Sequence, residues 1–490
     1  MKNFVSILKK YPLSPFALVF FIYIHTYLYA YKWMLISDLY MPFIITLSVV
    51  SLLFFFLYKV YHSPLNAAII TSLLTLFFFY FGFAKDYFIK LTGNYLHLRY
   101  SIPVVFVILL FAFLKFRKTS PEKVIKLNYF FNLLFFIYII VDIGIISFNF
   151  LTTPEKSLSM IENYTGIDLS KIQHKDSNIK PDVYFLVFDE YSSTESLKQN
   201  YGFDNSSLDS FLLSKGFYIS NHSKSNYTYT IFSLSSTFNM NYFKNGKELN
   251  YPDDFGLVWK YMYQNNVCKL FEKEGYNIKN FSFFNIEDHA SHAESISKAW
   301  ALRFLFGKSL FSLFNIGYLW IDKKYYTHLL EKKLAIISTE IQSENEQPKF
   351  MYIHFLLPHH PYIFNKDGSE RSVFDYTKTG IDKNKYYTDQ LFYTNSVIKN
   401  LITKILSSDK KKIIILEGDH GNRFYTLPDP KAKAKYFSNK NDFKNLNAYY
   451  FYDKNYSKLY DSISPVNSFR VVFSQYLNKP YTLLKDSIVF

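Results

Sequence analysis

The chain has 490 residues, too many for one ordinary domain, with 21% aromatic residues and a formal net charge of +15. That charge comes from lysines spread among Asn and Tyr, without an Arg-rich or RNA-binding pattern, so no nucleic-acid partner is expected. The single cysteine, Cys268, rules out an intramolecular disulfide and any Cys-x-x-Cys zinc or redox motif.

The first third is dominated by apolar runs. Five of them, at 13–31, 40–58, 64–84, 100–114 and 127–149, approach the length needed to span a bilayer. No small-residue cleavage site follows the first, so it reads as a span rather than a signal peptide. Residues 1–150 are therefore expected to form a transmembrane domain of five helices. With the N-terminus inside, the inner segments carry Lys2, Lys9, Lys10, Lys59, Lys115, Arg117, Lys118, Lys123 and Lys126, whereas the outer loops carry only Lys32, Lys85, Lys90 and Arg99. This bias orients the N-terminus inside, and five crossings place everything after the fifth span outside. Residues 151–180 are polar and of mixed charge, and read as a short helix and linker.

From 181 to 490 apolar strand-like runs alternate with helical spacing. Asp182–Phe188, Gly216–Ile219, Asn277–Phe284, Phe350–Phe355 and Ile413–Leu416 read as strands. Ser206–Lys215, Ile231–Tyr242 and Tyr387–Leu406 read as helices. The economical fold is α/β, with a mostly parallel sheet between helices.

Three of the strands run into polar residues. The first ends in Asp189-Glu190, the Phe350–Phe355 strand leads to Pro358-His359-His360-Pro361, and Ile413–Leu416 runs into Gly418-Asp419-His420-Gly421. Ligands in open α/β sheets bind at the carboxyl ends of the strands, so these residues are expected to share one edge. A carboxylate beside an imidazole suits zinc, manganese or a related divalent ion. The nucleophile candidate is a threonine before the helix at Ile231, because a hydroxyl at a helix N-terminus lies in a positive field. Simple N-capping is the plainer use of such a residue. His354 reads as facing along its strand. Asp288, His289 and His292 form a polar cluster on a loop, most simply a solvated one.

The order of strand plus acid, threonine before a helix, His-x-Pro and Asp-His-Gly resembles the alkaline phosphatase and sulfatase superfamily. Five membrane helices before an outer catalytic domain resemble, within it, the lipoteichoic acid synthases and the lipid A phosphoethanolamine transferases. Asn445-Leu446-Asn447-Ala448 and Ser464-Pro465-Val466-Asn467-Ser468-Phe469-Arg470 look like the end of membrane-bound sulfatase-like proteins. The resemblance implies that Asp189, with Glu190 as a possible second ligand or substitute, Asp419 and His420 hold one divalent ion (Mn2+, Zn2+ or Mg2+), which also binds the Thr230 oxygen. It makes Thr230 the nucleophile, with Ser233 keeping the family's spacing and Thr228 in reserve, and it puts His359 on the phosphate or sulfate group. His360 and Arg423 are further candidates for substrate contact.

Two departures bear on the chemistry. No His follows His420, which favours one metal over two, and the Cys-x-Pro-x-Arg signature of true sulfatases is absent. The resemblance therefore implies a phosphotransferase of a bacterial inner (cytoplasmic) membrane, its catalytic domain extracytoplasmic. Its donor would be a membrane lipid headgroup, of phosphoethanolamine or phosphoglycerol type, and its acceptor an envelope glycan or lipid. A phosphodiesterase or other ester hydrolase, and a catalytically degenerate scaffold, are the alternatives.

Overall fold

The computed structural model describes residues 2–30, 36–92, 115–152, 180–243, 255–292, 302, 304–313, 315–343, 347–372, 375, 382–423, 440–479 and 481–488. The chain divides into two compact units, one of Met1–Pro154 with Ile296–Asp322 and one of Glu155–Ser295 with Lys323–Phe490.

Unit 1 holds helices α1 (Lys2–Lys10), α2 (Ser14–Ala30), α3 (Ile36–Tyr61), α4 (Pro64–Thr92) and α5 (Pro121–Thr152). Three of these are long and apolar enough to cross a membrane, and α1 with α2 forms a further pair bent by 102°. At that bend the buried amide of Asn132 donates to the carbonyls of Leu8 (2.7 Å) and Tyr11 (2.9 Å), satisfying acceptors that a helix end leaves open. Ser72 bonds Ser14, and His25 meets Asp142, so α2, α4 and α5 run in one direction. Tyr23 bonds Thr46 while Phe16 meets Phe54, so α3 runs against them. Phe116, shortly before α5, lies beside Tyr61 at the end of α3. The expected span at 100–114 lies outside the described residues.

Unit 2 is built on a six-stranded sheet in the order β2-β6-β5-β1-β4-β3, with β1 Asp182–Phe188, β2 Tyr218–Ile219, β3 Asn277–Phe281, β4 Lys349–Phe355, β5 Lys412–Gly418 and β6 Asn447–Phe451. β3, β4, β1 and β5 are parallel, β6 runs antiparallel to β5, and β2 at the edge runs antiparallel to β6. The helices of this unit are α6 (Thr194–Tyr201), α7 (Ser206–Ser214), α8 (Thr230–Asn239), α9 (Phe255–Tyr263), α10 (Asn266–Lys273), α11 (Asn315–Gln342), α12 (Lys383–Leu406) and α13 (Ser468–Tyr476). α11 starts within the residues grouped with unit 1.

Successive strand residues face opposite ways. Tyr184, Leu186 and Phe188 pack with Leu197, Leu208, Leu212, Ile337, Leu391, Ile398 and Ile402, which is the layer of α6, α7, α11 and α12. Phe185 meets Phe238 of α8 at 5.5 Å and Phe469 of α13 at 5.1 Å on the other face. Every residue of β1, β4 and β5 is buried, as continuous apolar runs in a covered parallel sheet require. The register sets the functional edge: Phe188 pairs with Phe355 on one side and Gly418 on the other, so the chain leaves all three strands together.

The strand expected at Asp182–Phe188 is β1 residue for residue, and those at β4 and β5 hold with ends shifted by a residue or two. The helix expected at Ile231 begins at Thr230 and stops at Asn239. β6 was not anticipated, although Ala448-Tyr-Tyr-Phe-Tyr is a short run of strand-forming residues. The linker at 151–180 falls almost wholly outside the described residues.

Candidate active site

Asp189 follows β1 and Asp419 follows β5, both fully enclosed. Asp419 Oδ1 accepts the amides of Glu190 and His420, each at 2.9 Å, which fixes the carboxylate. Among the described residues its Oδ2 has no hydrogen-bond partner, and neither do Asp189 Oδ1 and His354 Nε2, all three buried. Donor atoms of Asp189, His354 and Asp419 lie within 4.8 Å of one another. Three buried lone-pair atoms facing each other, two of them on carboxylates, are what a divalent cation satisfies and what an apo interior disfavours. Burial first, then the charges of Asp419 and Glu190, push the Asp189 carboxyl well above its usual range.

His420 sends its Nδ1–H to the Gly421 carbonyl at 2.8 Å, leaving the Nε2 lone pair free. That atom is 3.4 Å from Asp419 Oδ2, 4.0 Å from Asp189 Oδ1 and 3.4 Å from Thr230 Oγ1. Burial lowers the affinity of both imidazoles for protons, most strongly at His354, so both are neutral donors. Gly421 is needed for close approach rather than for a left-handed turn: a Cβ there would sit 2.6 Å from the Lys444 carbonyl oxygen.

Thr230 is the first residue of α8. The N-cap is Tyr229 and no side chain caps the helix, so Thr230 is not spent on the capping role that its position suggested. Its hydroxyl faces His420 Nε2. Three residues on, Ser233 Oγ donates to the Asp419 carbonyl at 2.5 Å, tying α8 to the end of β5.

Glu190 takes a different path from its neighbour. With φ at +58° it directs its carboxylate away from the donor cluster, to Arg423 Nε (3.0 Å) and Nη2 (2.9 Å) and to within 3.7 Å of His359 Nε2. Burial opposes its charge, but His359, Arg423 and His420 outweigh burial and hold its pKa down at about 2. His359 stands in a loop with cis bonds before Pro358 and Pro361. The buried Gln390 amide secures that loop, donating to the carbonyls of Pro358 (3.0 Å) and His359 (2.9 Å) while accepting from Phe364 N (3.1 Å). His360 is exposed, its ring 5.5 Å from Tyr362.

The structure thus brings together Asp189, Thr230, Asp419 and His420, with Glu190, His359 and Arg423 as a charged flank. His354, read from the sequence as facing along its strand, instead joins Asp189 and Asp419 in the donor cluster. Its Nδ1 lies 3.2 Å from the Tyr352 hydroxyl, and its carbonyl accepts from the buried Lys333 at 2.6 Å. The alternation Tyr352-x-His354 was the available signal. In the loop at Asp288–His292, His289 pairs with Glu272 of α10 at 2.5 Å.

A mixed sheet between helix layers, with carboxylates and imidazoles converging at strand ends on a helix-start threonine, defines an enzyme of the alkaline phosphatase and sulfatase class. Residues 183–469 match the sulfatase family, more than half of the chain, and the chain belongs to that family. No curated protein matches it. Similar solved structures include the C-terminal periplasmic domain of EcEptC from Escherichia coli (13% identity over 62% of this chain and 84% of that one, TM-score 0.39). Another is the soluble domain of lipooligosaccharide phosphoethanolamine transferase A from Neisseria meningitidis (14%, 62% and 89%, TM-score 0.40). The integral membrane form of that transferase is similar over 96% of this chain and 95% of its own (13%, TM-score 0.37). All three are loose resemblances.

Proposed function

We propose that the chain is a membrane-anchored phosphotransferase that moves a phospho-headgroup from a lipid or envelope phosphodiester through a phosphothreonine at Thr230. The observation that carries this reading is the Thr230 hydroxyl, uncapped at the start of α8 and 3.4 Å from His420 Nε2 beside the Asp189, Asp419 and His354 donors. The residues that would hold a divalent ion are Asp189, Asp419, His354 and His420. Bound there, such an ion supplies a Lewis acid for the phosphoryl oxygens.

Thr230 Oγ forms a bond to phosphorus as the bond to the leaving lipid oxygen breaks, and the hydroxyl proton passes to the Asp189 carboxylate. His359 Nε2 protonates the leaving oxygen, and Arg423 offers its guanidinium to a non-bridging oxygen. An acceptor hydroxyl then attacks the phosphothreonine, giving its proton to His359, as the bond from phosphorus to Thr230 Oγ breaks and that oxygen recovers its proton from Asp189. A sulfatase reaction fits less well: the only cysteine, Cys268, is buried in α10, so the formylglycine route has no residue in the site. In this reading the protein resides in a bacterial inner membrane with unit 2 on the outer side.

The test is intact mass of the full chain in bilayer discs with phosphatidylethanolamine or phosphatidylglycerol and Zn2+ or Mn2+. A metal-dependent mass increase equal to one phospho-headgroup, absent from Thr230→Ala, is expected. Full activity in Thr230→Ala overturns the assignment, and loss only in Thr228→Ala moves the nucleophile two residues.

A further inference from the structure

Residues 296–322 lie between β3 and β4 in sequence, inside the sulfatase-family region, yet they group with the membrane helices. The chain passes into unit 1 at 295/296 and back at 322/323, in addition to its crossing at 154/155. Within it, residues 304–313 dock on the C-terminal half of α4. Leu305 is buried in the helical core, and Phe306 stacks on Phe79 with ring centroids 5.7 Å apart. Phe311 meets Phe78 edge-on at 5.1 Å. The Lys308 carbonyl accepts from Gly82 N at 2.6 Å, its ammonium pairs with Asp86, and Lys85 Nζ donates to the Ser312 carbonyl at 2.9 Å. A Cβ on Gly82 would lie 2.7 Å from Lys308 Cα, so this glycine permits the approach.

Apolar surface of the segment stays uncovered by that contact. Phe304 and Phe311 are each 48% exposed. The surface beside them continues the same chemistry, because Phe83, Tyr87 and Leu91, one helical face at i, i+4 and i+8, are also exposed, and Lys308 Nζ sits 5.6 Å from the Phe83 ring. Uncovered aromatics interleaved with a lysine, at the end of a membrane-length helix, match the composition of the bilayer interface rather than of a water-facing loop. The direction of α4 puts the segment at the end of the helical bundle where α5 also terminates.

We propose that residues 304–313 are an interfacial anchor. Phe304 and Phe311 enter the boundary between headgroups and acyl chains, and the Lys308 ammonium lies at the lipid phosphate level. The occupant of this surface is the lipid bilayer. The proposal rests on unit 1 spanning a membrane, and its test separates the two claims.

The unmodified full chain is reconstituted in bilayer discs containing a phospholipid with a photoreactive diazirine on one acyl chain, irradiated, and mapped by peptide mass spectrometry. Parallel samples are footprinted with hydroxyl radicals. The expected result is lipid adducts on 304–311 at a yield within about 3-fold of the α3 peptide around Leu52, with both phenylalanines oxidised more slowly than Phe392 of α12. Phe392 is less exposed in the fold, at 39%. Adducts on α3 but only Phe392-level adducts on 304–311 overturn the anchor while leaving the spans intact. Protection from radicals without lipid adducts likewise overturns it, since a protein surface then covers the segment. Absence of adducts on α3 overturns the membrane reading itself.

Discussion

Ser233 Oγ donates to the Asp419 carbonyl oxygen at 2.5 Å, so the helix that carries the candidate nucleophile is bonded directly to the strand end that carries a metal donor. The serine is fully enclosed, which keeps water from taking over its hydrogen bond. Ser233→Ala is expected to cost about 1–3 kcal/mol, the range for stranding a buried carbonyl, and to slow turnover by loosening Thr230 against His420. Thermal unfolding and single-turnover phosphorylation measured on the same preparation check both effects.

Tyr352 selects the tautomer of His354. For Nε2 to face Asp189 as a lone pair, Nδ1 must carry the proton, and the Tyr352 oxygen 3.2 Å away accepts it. Tyr352→Phe keeps the ring that packs 4.7 Å from Phe238 but removes that acceptor. Metal affinity should weaken about 10- to 100-fold, read by chelator competition, with the melting temperature of the chelated protein little changed.

Glu190 separates two assignments. As an ion-pair partner of Arg423 and a neighbour of His359, it should support substrate and not metal. Glu190→Gln should keep its metal content by elemental analysis while kcat/KM drops by about 100-fold, since the flanking charges lose a buried counter-charge. Loss of metal in this variant would make Glu190 a ligand after all.

Chelation should expose the strain between the two carboxylates. The folded pKa of Asp189 is raised above its unfolded value, so the proton stabilises the folded apo protein, and that stabilisation is lost as pH rises through the raised value. With EDTA the melting temperature should therefore fall from mildly acidic toward neutral pH. With saturating Zn2+ the fall should vanish or reverse, because the ion replaces the proton between the ligands.

Lys333 behaves oppositely. It is buried, with no carboxylate partner among the described residues, 4.2 Å from the Phe283 ring centroid, and burial pushes its pKa down to about 7. The unfolded chain binds the extra proton between that value and the usual lysine value, so stability rises with pH across this window and the full penalty applies below it. Lys333→Met should stabilise the protein at pH 6, by about 1–3 kcal/mol, with the advantage shrinking as pH rises above 7. A gain that grows with pH would contradict the burial argument.

The sequence by itself determined the strands that matter and the polar residues at their ends. β1, β4 and β5 are covered on both faces, so each reads as an unbroken apolar run, and the residue types at their ends survive as a motif whatever the packing. It also determined the membrane character of the first third, since span length and the absence of charge are properties of the chain alone. Tertiary structure decided which neighbours do what. Asp189 and Glu190 are adjacent in sequence, but one left-handed residue parts their side chains, sending one to the donors and the other to Arg423. His354 became a donor because its pairing with Val187 fixes the face it occupies, and a strand buried on both faces does not announce which of them borders the site. The placement of 304–313 on α4 depended on contacts between residues more than two hundred positions apart, among them Lys85 with Ser312, which no local pattern encodes.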